Sequence, residues 1–181
     1  MQKLAQIALT AVIGASMLGC DYTRSSSSGD GPDATFACPT NIPQATDGRA
    51  KVGYTRNLDQ ATLAGRDFRR VLYTGGKLQL LVMAVKPGEH IGTQLHADQD
   101  QFFRIEEGHG EVEINGRRSA VAPATSIIVP AGAQHDIVNT GDKPLRLFIL
   151  TSPPQYQRNA IRRSKADSES TADHFDGCLS E

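Results

Sequence analysis

Between residues 68 and 150 the sequence is a succession of short β-prone runs separated by turn signals, and this even punctuation leaves few architectures open. Phe68 to Thr74, Leu78 to Val85, Gly110 to Asn115, Arg117 to Val121, Ser126 to Val129, Gln134 to Asn139 and Leu145 to Leu150 all have strand length. Val52 to Arg56 reads as a further β-prone run. Between them fall Gly75-Gly76, Pro87-Gly88, Asn115-Gly116, Pro130-Ala131-Gly132 and Thr140 to Pro144. Asn-Gly tolerates two successive positive φ angles, so Asn115-Gly116 predicts a tight type I′ hairpin. Helical periodicity is almost absent before residue 155, which predicts an all-β barrel or sandwich. The run Leu78 to Val85 is apolar on both faces, as expected of a strand covered on two sides or one that joins two copies of the chain in a homodimer.

Chemistry concentrates in Pro87 to Gly108, PGEHIGTQLHADQDQFFRIEEG, and in one later histidine, His135. Strand alternation puts Gln94, His96, Gln101, Phe103 and Ile105 on one face, with Asp100, Arg104 and Glu106 on the other. Imidazole nitrogen and amide oxygen can together bind a divalent transition ion such as Zn, Mn, Fe, Ni or Cu. Neither glutamine brings negative charge, so an ion held here would keep its full charge and favour an anionic ligand or hydroxide. With acids facing away, no catalytic residue is assigned. Phe103, Ile105 and Ile137 would give a pocket an apolar wall suited to small, partly apolar ligands rather than phosphates.

The two blocks resemble the paired motifs of the cupin family, G-x5-H-x-H-x3,4-E-x6-G and G-x5-P-x-G-x2-H-x3-N. Gly88, Gln94, His96, Gln101 and Gly108 keep the first spacing, and Ala124, Pro130, Gly132, His135 and Asn139 keep the second. Gln94 replaces a histidine, Gln101 a glutamate and Ala124 a glycine. The resemblance covers about residues 50 to 177 and implies a double-stranded β-helix, a jelly-roll barrel over 51–152 with a C-terminal arm over 153–181. It further implies that Gln94, His96, Gln101 and His135 converge inside the barrel as a metal set. A metal-dependent oxygenase, decarboxylase or isomerase is then one reading, a non-catalytic binder of a small ligand or metal a second. The third is a vestigial site in which the histidines and glutamines satisfy one another, leaving an interaction role. Asn139 is expected to make hydrogen bonds at a strand end. His90 and His109 read as surface residues.

The first nineteen residues read as a targeting segment rather than as fold. Lys3 precedes an uncharged apolar or small run from Leu4 to Leu18, closed by Met17-Leu18-Gly19-Cys20. This resembles a bacterial lipoprotein signal with Cys20 as the lipidation site, an ordinary cleaved signal and an uncleaved anchor being the alternatives. Residues 20–50, rich in Ser, Gly, Asp and Pro, read as a flexible tether. The expected location is the periplasm, with the membrane contacted only through a lipid. Export makes a disulfide between Cys38 and Cys178 the natural use of the other two cysteines, against two unpaired thiols. A formal charge of −1, scattered arginine pairs and no tryptophan exclude a nucleic-acid partner.

Overall fold

The computed structural model describes residues 53–180. The segments 1–19 and 20–50, with Cys20 and Cys38, lie outside the described residues. Ten strands follow one another as β1 (Arg69–Thr74), β2 (Gln79–Val85), β3 (Gln94–Leu95), β4 (Asp100–Glu107), β5 (Gly110–Ile114), β6 (Arg117–Val121), β7 (Ser126–Val129), β8 (Gln134–Asn139), β9 (Leu145–Ser152) and β10 (Ile161–Arg162). Two short helices, α1 (Leu58–Leu63) and α2 (Lys165–Ser170), complete the described elements. The strands form two antiparallel sheets, ordered β10-β1-β2-β9-β4-β7 and β3-β8-β5-β6. This is the all-β architecture that the strand spacing predicts, in the jelly-roll form that the motif resemblance implies. Among the described residues, no helix is long and apolar enough to cross a membrane.

The core fills the space between the sheets with inward residues taken at period two: Leu81, Met83 and Val85 from β2, Phe103 and Ile105 from β4, Val112 from β5, Ile137 from β8, and Leu145, Leu147 and Ile149 from β9. All seven residues of β2 are buried. The reason lies within one chain, because β2 runs between β1 and β9 and α1 packs over the same part of the sheet. The apolar character of both faces therefore needs no second copy. The β5–β6 hairpin turns at Asn115 and Gly116, whose φ angles are 48° and 79°, as a type I′ turn requires.

The start of the described chain departs from expectation. No strand forms at 53–56; the chain runs into α1, whose N-cap Asn57 accepts a 2.8 Å hydrogen bond from the Gln60 amide. A short polar side chain at the N-cap satisfies a helix donor that would otherwise be orphaned, and here it outweighs β propensity.

The C-terminal segment folds back onto the first sheet. β10 pairs with β1, Arg69 facing Arg162 and Arg70 facing Ile161. The buried amide of Gln79 clamps the segment after β9: Nε2 donates to the Tyr156 carbonyl at 2.7 Å, and Oε1 accepts from the Tyr156 and Gln155 amides at 2.9 and 3.2 Å. Cys178 is buried.

Candidate metal centre

Strand pairing, not local sequence, builds the site. β3 pairs with β8 so that Gln94 faces His135, and β4, in the opposite sheet, points Gln101 and Phe103 inward. The loop after β3 carries His96, and its carbonyl accepts a 2.7 Å hydrogen bond from the Gly132 amide, tying the two motif blocks together. The His96 and His135 rings lie 5.8 Å apart between centroids, and Phe103 meets His135 edge-on at 5.7 Å. His135 is 1% exposed and Gln101 5%.

The hydrogen bonds sort these donors into two groups. His96 Nε2 sits 3.0 Å from Gln94 Oε1, and His135 Nδ1 lies 3.4 Å from the Ala133 carbonyl. A proton on Nδ1 of His135 leaves Nε2 as a lone pair, and that atom is buried without a partner. Gln101 Oε1 is also buried without a partner. Two orphaned acceptors in one interior are costly unless something electropositive meets them. Burial pushes both histidines below the ordinary value of 6.5, with Asp98 pulling His96 partly back. For His135, the Ala133 carbonyl and Asp136 act upward and His96 downward. Both imidazoles are thus held in the neutral form that binds metal.

Among the described residues, no group of three or more His, Cys, Asp and Glu side chains is placed to hold a metal ion. The set that fits is two imidazoles with amide oxygens, supported by the unpartnered Nε2 of His135 and Oε1 of Gln101. Gln94 differs, since its oxygen already accepts from His96.

A narrow cavity of about 30 Å³ adjoins these residues, with Gln94, Gln101 and Phe103 on its wall. Ile105 and Ile137, expected on the same wall, are fully buried in the core instead. They lie on the inward face, as alternation requires, but farther along their strands. The cavity has lining residues that strand-motif reasoning missed: Arg69 from β1, and Gln155, Tyr156 and Ser168 from the C-terminal segment. The alternation of Arg69 with Val71 held a signal for the first. The others come from a long-range contact with no local mark.

Outside the barrel interior, His90 Nδ1 lies 2.7 Å from Asp136 Oδ2 on the opposite face of β8. Asn139 is fully buried, donating to the Val85 and Lys143 carbonyls at 2.8 Å and accepting from the Gly141 amide at 3.0 Å.

A family model described as a cupin domain matches residues 81–151. YrkC, an uncharacterised protein of Bacillus subtilis, is 36% identical over 124 residues, spanning 65% of this chain and 66% of its own length. An uncharacterised protein of Acanthamoeba polyphaga mimivirus is 32% identical over 113 residues, 60% of this chain and 70% of that protein. A crystal structure of a Bacillus halodurans protein shares 35% identity at a TM-score of 0.64, covering 65% of this chain and 94% of that one.

Proposed function

The chain belongs to the cupin superfamily, and from that premise we propose that it holds a divalent transition metal through His96, His135 and Gln101, with Gln94 as a fourth donor. The observation that carries this reading is the pair of buried, unpartnered acceptors, His135 Nε2 and Gln101 Oε1, beside a second neutral imidazole. An ion bound there would supply Lewis-acid polarisation and acidify a bound water, serving an oxygenase, decarboxylase or isomerase reaction on a small molecule. The chain's own residues orient and exclude. Ala133 fixes the His135 tautomer, Phe103 braces its ring, and the apolar core keeps bulk water from His135 and Gln101.

A second reading has its own support. The 3.0 Å hydrogen bond between His96 and Gln94 satisfies both groups without an ion, as a vestigial or purely ligand-binding barrel would. Metal analysis of protein purified without added ions separates the two. The metal reading expects near-stoichiometric metal that is lost in the double variant His96→Ala and His135→Ala. Equal, negligible metal in both preparations overturns it. Incubation of the loaded protein with small phenols and organic acids, with oxygen consumption and product followed, then distinguishes an enzyme from a binder.

We also propose export to the periplasm with lipidation at Cys20, supported by the uncharged run Leu4 to Leu18 ahead of Met17-Leu18-Gly19-Cys20. Fatty-acid labelling of the full chain in a bacterial host should mark the wild type and not Cys20→Ala. Equal labelling, or none in either, overturns the assignment.

A further inference from the structure

The cavity beside Gln94 and Gln101 has an uncompensated positive charge in its far wall. Arg69, on the inward face of β1, lines it with a side chain 8% exposed. Nη2 of Arg69 lies 2.9 Å from both Asp173 oxygens, while its guanidinium carbon sits 3.6 Å above the Tyr156 ring. Asp173 is shared, because Arg162 Nη2 also approaches it at 3.2 Å. One buried guanidinium and one partly buried one thus divide a single buried carboxylate and leave the trio a net charge of +1. Buried charge in such excess is costly unless an anion completes it. The Nε–H groups of both arginines are buried and unpartnered. Asp173 and the Tyr156 face hold the Arg69 guanidinium, so its free N–H is fixed before any ligand arrives.

We propose that this cavity seats the carboxylate of a small organic acid, with Arg69 Nε–H as its donor and the rest of the molecule directed toward Gln94, Gln101 and the two histidines. The volume of about 30 Å³ has room for roughly two water-sized groups, which limits the ligand to the smallest acids, of formate or acetate size. Tyr156 and Gln155, held by Gln79, form the cover over that end. The inference deepens the barrel-site reading by naming a substrate class, and rests on the barrel interior being the working site. The anion contact itself needs no metal.

The test uses the full chain, ¹⁵N-labelled and stripped with a chelator, titrated with acetate and separately with its neutral isostere acetamide. The Arg69 Nε–H resonance, identified by its loss in Arg69→Lys, should move saturably with acetate and stay fixed with acetamide. Arg69→Lys keeps a cation for Asp173 but removes the fixed Nε–H, and should weaken acetate binding about tenfold or more. Arg162→Gln lies outside the cavity lining, yet takes the trio from +1 to neutral and should also weaken it. Equal responses to acetate and acetamide, no shift at Arg69, or unchanged affinity in Arg162→Gln overturns the proposal. Should Arg69→Lys fail to fold, the isostere comparison and Arg162→Gln decide. Metal content measured on the unstripped protein is an independent readout, so failure of one reading is distinguishable from failure of the other.

Discussion

At single positions, departures from the family pattern have physical consequences that can be measured. Ala124 occupies the glycine position that opens the second motif, and its φ of 70° lies in the left-handed region that disfavours a Cβ. Its amide bonds to the Ile105 carbonyl at 2.8 Å, so the backbone cannot relax without losing a contact. Ala124→Gly should therefore stabilise the chain by about 1 kcal/mol, the relief of strain exceeding glycine's entropy cost. Chemical denaturation measures it, and a destabilised variant contradicts the strain argument. The histidines give a second measurable consequence. Their folded pKa values lie below 6.5, so the unfolded chain binds more protons than the folded one below that pH. Stability of metal-free protein should be full above about pH 6.5 and fall as pH drops through it toward the lowered folded values. Urea midpoints at pH 7.5, 6 and 5 report this slope, and His135→Asn should flatten it. The exchange of histidine for Gln94 and of glutamate for Gln101 was legible in the sequence. Which acceptors would be left unpartnered was not, because that depends on hydrogen bonds made across strands.

At the level of elements, the strands and their turns were legible because each announces itself locally, through period-two alternation ended by glycine, proline or asparagine. Gln134–Asn139 and Arg117–Val121 fall where those signals put them. Helix α1 was missed although Asn57 and Gln60 form an N-cap followed by an amide three residues on, a pattern that marks helix starts. The docking of residues 155–157 was not readable at all, since its organiser is Gln79, the first residue of an otherwise apolar strand. That amide makes four hydrogen bonds, one to Thr74 Oγ1 and three to the backbone of Gln155 and Tyr156. A leucine of similar volume would leave the Tyr156 amide and carbonyl unpaired against the barrel. Gln79→Leu should destabilise by about 2 to 4 kcal/mol and expose the segment after Ser152 to limited proteolysis before the barrel itself. Unchanged protease resistance would show that the Arg69–Asp173 contact and β10 suffice to hold it.

For the whole molecule, the all-β class follows from strand number and spacing and the jelly roll from the resemblance of the two motif blocks, while the closing of the barrel depends on residues distant in sequence. The Ser180 amide donates to the Thr74 carbonyl at 2.8 Å, and the Thr74 amide donates to Ser180 Oγ at 2.9 Å, so the described C-terminus returns to the end of β1. Cys178 is carried with it into a buried position, where a thiol partner from ahead of β1 would tie the two ends of the chain together. A crosslink to Cys38 would close a long loop and restrict the unfolded chain far more than the folded one. By the chain-entropy argument it would contribute about 4 to 5 kcal/mol, less any strain. Oxidised wild type should lose thermal stability on reduction, Cys38→Ser and Cys178→Ser should each match the reduced protein, and neither variant should respond further to reductant. If Cys38→Ser still responds while Cys178→Ser does not, Cys178 is paired elsewhere, and Cys20 becomes the thiol to test in place of a lipid carrier.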